Sequence, residues 1–396
     1  MSAAVRARMS VALVALAFFV VMMGTTLPTP LYPTYQSRFG FSQLTITVIF
    51  AVYAVTVVLS LMLIGRLSDF IGRRRVLLPG VVFSAASAAL FLVAGGLGAL
   101  LAGRVLSGVS AAIFTGTATA ALVDLWPQQR SRATIIAVAA NLGGLGSGQL
   151  LSGLVADHVT KPLEAPFVVD LVLCGLACVA LVLAGRDAAQ RRGRWRPQRF
   201  RVPPEVRRQF VPAAVAGFCG FAVFGVYGSV VPGFLAHVLH VAGATAIGLI
   251  TWALLIAAAL GQLITRRMAP TVALSLGCGA LLGGTCLTAL AVALTNIVPL
   301  IAATIVIGVG QGMVIGAGLA SINEHVAVQE RGEVASNYFV LLYIGLALPV
   351  VGVGVAADAI GLRAAALIFS GAVVVIVGGV LATLLMRASH ERVQVA

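Results

Sequence analysis

Apolar residues run along this chain in twelve long blocks, and charged residues are confined almost wholly to the gaps between them. Within a block there is no strict alternation and no single polar stripe, which is the pattern of a helix covered on every side by protein or lipid. The hydrocarbon core of a bilayer takes about 20 helical residues to cross. Helices suit that crossing because every backbone N–H and C=O finds its partner inside the segment. The spacing therefore predicts an all-α integral membrane protein, with transmembrane helices near 9–31, 44–64, 76–94, 99–122, 133–155, 166–184, 211–235, 246–264, 271–294, 298–322, 334–356 and 364–386.

A few residues break the apolar rule inside these blocks. Pro28, Pro30 and Pro33 should distort the outer end of the first span, because proline cannot donate to the helix ladder. Gly143, Gly144, Gly146, Gly148 and Gly153 crowd the fifth span, and Gly144 with Gly148 makes a small-residue seam for close helix packing. Phe218, Phe221, Phe224 and Tyr227 recur at every third residue of the seventh span and spread over a broad face, as core or as pocket lining. Arg104 lies inside the fourth span, where a charge costs about 2.5–3.5 kcal/mol on insertion scales. It is expected to pair, to face water or to snorkel to the outer interface.

Composition sharpens this picture. The 396-residue chain is 60% hydrophobic and 10% charged, whereas about a quarter of the residues of a soluble domain are charged. Twelve spans use roughly 240 residues, which leaves short loops and no room for a separate soluble domain. A formal charge of +14 raises the question of a nucleic-acid partner. The placement of the basic residues excludes it, since 22 of the 26 fall in segments predicted to be cytoplasmic, Arg38, Lys161 and Arg363 fall outside, and Arg104 falls within a span. That asymmetry is the positive-inside pattern, and it predicts that both termini are cytoplasmic; the expected location is the cell inner (plasma) membrane.

Residues 186–210 carry nine arginines against Asp187 and Glu205. They read as a linker between halves 1–185 and 211–396, and such a basic segment beside a membrane is expected to lie on anionic lipid. Cys174, Cys178, Cys219, Cys278 and Cys286 all sit in apolar runs, which predicts packing residues rather than a disulfide framework or a zinc site. Arg6 and Arg8 before the first block imitate a signal peptide, but no small-residue cleavage site follows, so that block is read as a retained span. The five histidines fall in loops or the tail, and neither G-x-x-x-x-G-K-[ST] nor HExxH occurs. A nucleotide-driven pump, a metal centre, a cofactor and a membrane enzyme are accordingly not expected.

The most specific stretch is the turn after the second block, Gly65-Arg66-Leu67-Ser68-Asp69-Phe70-Ile71-Gly72-Arg73-Arg74-Arg75. Three arginines before an apolar run hold that end in the cytoplasm, and Asp69 and Arg73, four apart, share a face if the turn is helical. Anchoring the topology needs only the arginines, which leaves Asp69 unexplained. The stretch resembles the loop between spans two and three of the major facilitator superfamily of secondary transporters. Arg104-Val105-Leu106-Ser107-Gly108 is similar to that family's span-four pattern. The stretch from Gly144 to Gly153 resembles its antiporter signature, with Gln149 in place of a proline and Ser152 in place of a glycine, and Phe70 stands where the family usually has a basic residue.

The resemblance implies a fold duplicated from six-helix halves, and the chain is self-similar in that way. Gly65 and Leu67 return as Gly261 and Leu263 before Arg266 and Arg267, while Gly108, Val109, Gly116 and Asp124 match Gly308, Val309, Gly316 and Glu324. Thr304 is the counterpart of Arg104. The family likeness further implies that spans one, four, seven and ten line a central cavity and that Asp69 ties its loop to the start of span eleven. Asp69, Arg73, Arg104 and Asp124 are then the candidate coupling and gating residues, and Thr25, Thr26, Thr115, Asn141, Phe221, Gln311 and Tyr338 the candidate substrate contacts. Span six is lipid-facing scaffold in the family, so Asp170 is read as an interfacial or snorkelling acid ahead of the alternative, a proton site.

The expected activity is proton-coupled export of small neutral or weakly acidic amphipathic compounds, as in twelve-span drug:proton antiporters. The expected partners are the substrate, protons and membrane lipid, and the expected state is a monomer. None of the twelve acidic residues lies at mid-depth in spans one, four, five, seven, eight, ten or eleven, so a permanent cation would be desolvated there without a counter-charge. Uptake or facilitated diffusion of a small metabolite is one alternative. A transport-dead sensor on the same fold is another.

Overall fold

The computed structural model describes residues 3–64, 67–185, 202–241, 243–327 and 330–395. Gly65 and Arg66 of the charged turn and residues 186–201 of the basic linker lie outside the described residues. Among the described residues there are fifteen α-helices, three short 3-10 turns and no strand. The first eight helices are α1 (Ala3–Thr26), α2 (Tyr32–Phe39), α3 (Gln43–Ile64), α4 (Leu67–Ile71), α5 (Arg73–Leu92), α6 (Leu97–Leu125), α7 (Arg130–His158) and α8 (Ala165–Leu183). Seven follow: α9 (Arg207–Ser229), α10 (Val231–His237), α11 (Ala244–Thr265), α12 (Pro270–Leu294), α13 (Ile297–Glu324), α14 (Arg331–Ile360) and α15 (Leu362–Val395).

Twelve stretches of the described residues are long and apolar enough to cross a membrane, and each overlaps one predicted block. Val82, Val172, Leu348 and Val375 are 61–75% exposed. An apolar surface on this scale is what a multi-pass membrane protein turns toward lipid.

Two spans are broken where one helix each was predicted. α1 stops at Thr26, and Pro28 and Pro30 lead through a 3-10 turn at Thr29–Leu31 into α2, whose first turn holds Pro33. Prolines this close together leave several carbonyls without an N–H, so the predicted distortion becomes a full interruption. In the seventh span α9 gives way to α10 at Val230, and Pro232 sits in the first turn of α10, where its missing N–H costs nothing.

By contact the chain divides into two units. One comprises Met1–Phe41, Val52–Arg199 and Ala242–Trp252, the other Ser42–Ala51, Phe200–Val241 and Ala253–Ala396. In the first, α1 packs on α6, α7 and α8, and α5 packs on α6 and α8. In the second, α9 packs on α13, α14 and α15, and α12 packs on α13 and α15.

The repeat extends to single contacts. Gly80 makes room for Ile113 and Phe114, as Gly277 does for Met313 and Val314. Gly108 receives Tyr53 and Thr56 of α3, as Gly308 receives Leu254 and Ala257 of α11. Gly144 lies against the Phe19 carbonyl and Gly345 against that of Phe218. Matching positions are about 200 residues apart.

Candidate functional site

The described part of the charged turn is two helical pieces, α4 and the start of α5, joined at Gly72. Within α4 and the start of α5, Asp69 and Arg73 form the predicted i,i+4 pair, with Nη1 2.6 Å from Oδ1. Gly72 between them has φ 106°, a conformation that a residue with a Cβ resists, and it lets α4 turn into α5. Arg73 also donates from Nη1 to the buried Ser68 hydroxyl at 2.6 Å and from Nε to Asp124 at the end of α6 at 3.2 Å. One guanidinium thus gathers three candidates, Asp69, Arg73 and Asp124, at the ends of three helices. All three side chains keep 22–42% of their surface exposed, so the cluster is a hydrated clamp rather than a buried pair.

Arg104 does not snorkel. It is 1% exposed, donates from Nη1 to the Thr25 carbonyl at 2.8 Å and from Nη2 to the Tyr32 hydroxyl, and sits 5.5–5.9 Å from the ring centroids of Tyr32, Phe91 and Tyr53. The break after α1 makes this site possible. The ladder ends at Thr26, and Tyr32 returns from the far side of the break to meet the guanidinium. Aromatic faces and a carbonyl attract a cation without neutralising it, and Nε has no hydrogen-bond partner.

Of the candidate contacts in the first unit, Thr25 is buried and donates to Met22, while Thr26 donates to Leu145 of α7 at 2.6 Å, locking α1 to α7 beside Gly148. Thr115 and Asn141 are half-buried on α6 and α7. In the second unit Phe221 is half-buried and meets Tyr343 edge-on at 5.5 Å. Gln311 is 4% exposed with Oε1 unpartnered. Tyr338 is fully buried over Gly217 and Gly318, where α9, α13 and α14 pack together.

One expectation needs correction. Asp170 does not snorkel; it is 1% exposed and directed at Gly24 of α1. α8 is apolar all round, so its sequence marks no inner face, and packing on α1 and α5 decides which way Asp170 turns.

Two further carboxylates had no recognisable signal. Asp157, at the end of α7, accepts the N–H groups of Ala244 and Thr245, both at 2.8 Å, and so caps α11. Asp358, at the end of α14, accepts the Gln43 N–H at 3.1 Å at the start of α3. The two acids are 201 positions apart, as are Ala244 and Gln43. The same capping contact therefore occurs once in each unit.

Comparison with known proteins agrees with this architecture. The family model described as Major Facilitator Superfamily matches residues 14–350. A structure titled as a bacterial homolog to the human lysosomal transporter Spinster, in an inward-facing and unoccupied conformation, superposes with a TM-score of 0.73 at 15% identity, covering 96% of this chain and 97% of that one. The corresponding inward-facing and occupied structure gives a TM-score of 0.71 at 14% identity, over 95% and 96% of the two chains. A search of curated protein sequences finds no match. A twelve-span chain with duplicated six-helix packing, matched by the family model over most of its length, belongs to the major facilitator superfamily.

Proposed function

We propose that this protein is a proton-coupled secondary transporter of the plasma membrane, with both termini cytoplasmic, that exports small neutral or weakly acidic amphipathic compounds by alternating access. The observation that carries the substrate class is Arg104, a fixed positive charge enclosed by aromatic rings with no carboxylate bound to it. A permanent cation near that guanidinium would be repelled in a medium that screens poorly, whereas a neutral or anionic amphipath would not. The neutral polar groups of Thr115 and Asn141, in the same unit as Arg104, suit orientation of such a compound by hydrogen bonds. Asp69, Arg73 and Asp124 are read as the clamp that holds one end state.

The test uses proteoliposomes under an imposed pH gradient, loaded in turn with a neutral coumarin, a carboxylated dye and ethidium. The neutral and anionic dyes should move in response to the gradient and ethidium should not, and Arg104→Ala should abolish the response. Strong gradient-driven ethidium flux that survives Arg104→Ala would refute the reading.

A further inference from the structure

Arg104 and Asp170 are the only charged side chains buried among the described residues, each 1% exposed. They meet α1 at consecutive positions. Arg104 holds the Thr25 carbonyl, and the Asp170 carboxyl fills the space that a side chain on Gly24 would take, with Oδ2 2.7 Å from where a Cβ would stand. Oδ1 has no hydrogen-bond partner. On α8 itself, Phe167 one turn earlier stacks on Phe91 of α5 at 5.1 Å, and Cys174 one turn later is buried.

The other titratable groups on the helices packed against α8 lie toward helix ends: Arg6 and Arg8 on α1, Arg73, Arg74 and Arg75 on α5, and Arg130, Arg132, Asp157 and His158 on α7. An ionised carboxylate at Gly24 would leave the buried Oδ1 without a donor, and a neutral carboxylic acid lowers that penalty.

We propose that Asp170 is the residue that binds and releases the proton in this transporter. This rests on the proton coupling proposed above and names the group that performs it. While α1 lies against α8, Asp170 keeps its proton. When α1 draws away and water enters at Gly24, the carboxyl O–H bond breaks, the proton passes to water and a carboxylate remains. That new charge attracts the guanidinium of Arg104, which is anchored one residue along α1, so the gain or loss of a proton pulls on the helix that both residues touch.

Infrared difference spectra of the full-length protein in lipid nanodiscs, recorded as a function of pH, test the assignment. The wild-type spectra minus those of Asp170→Asn should show the C=O stretch of one neutral carboxylic acid that fades as pH rises. Gly24→Ala, which crowds Oδ2, should move the midpoint, and Gly175→Ala, which faces open space on the same helix as Asp170, should not. In the coumarin assay Asp170→Asn should bring the ratio of flux with and without a pH gradient to unity. Should Asp170→Asn not fold, Asp170→Glu must displace the band.

A titrating carboxylic-acid signal that is the same in the wild type and Asp170→Asn overturns the proposal. If the band belongs to Asp170 but wild-type flux ignores the gradient, the proton site stands and coupled export falls.

Discussion

At the scale of single residues, missing methyl groups set how closely the helices approach. A Cβ at Gly144 or Gly148 would run into the carbonyls of Phe19 and Met23, and one at Gly312 into that of Ala258. Backbone cannot swing aside as a side-chain tip can, so Gly148→Ala and Gly312→Ala should each cost about 1–3 kcal/mol through overpacking. Gly175→Ala and Gly279→Ala meet nothing within 4 Å and should hold or slightly raise stability, as alanine favours helix by about 1 kcal/mol. Melting temperatures of the purified variants in one detergent check the contrast, and equal losses at all four positions would count against it. The Gly144 and Gly148 seam and the Asp69–Arg73 pair could be read from helical spacing alone. Asp170 could not, because an acid on a helix apolar all round carries no local sign of the direction it faces.

At the scale of elements, helix ends were the least legible part. The break after α1 follows from three prolines, but the caps on α3 and α11 come from residues 315 and 87 positions away and have no local pattern. An aspartate accepting N–H groups at a helix start is worth about 0.5–2 kcal/mol. Asp157→Ala should therefore speed amide exchange at Ala244 and Thr245 by roughly 2- to 30-fold and leave Gln43 unchanged. Asp358→Ala should do the reverse. Hydrogen exchange read by mass spectrometry separates the two, and a uniform rise in both variants would mean the caps do not act independently.

At the scale of the whole molecule, the twelve spans and the duplication were visible from hydropathy and from the matched glycines, because lipid imposes one element type and one length on every crossing. The buried charges break the symmetry of the repeat, since Arg104 and Asp170 both belong to the first unit and the counterpart of Arg104 is the neutral Thr304. The proposed orientation predicts that single cysteines at Gln128 and Lys161, in a chain freed of its five native cysteines, react with an impermeant maleimide from opposite faces of the membrane. Labelling from one face would remove the twelve-span topology.

The capping of α3 by Asp358 also bears on biogenesis. Residues 42–51 belong by contact to the second unit, and Asp358, which accepts the Gln43 N–H, is made only with span eleven. A ribosome that has delivered the whole first half has thus delivered an unfinished one. The nascent chain must carry the start of span two without the Asp358 cap through the synthesis of five more spans, a window in which a chaperone or a protease has access to it.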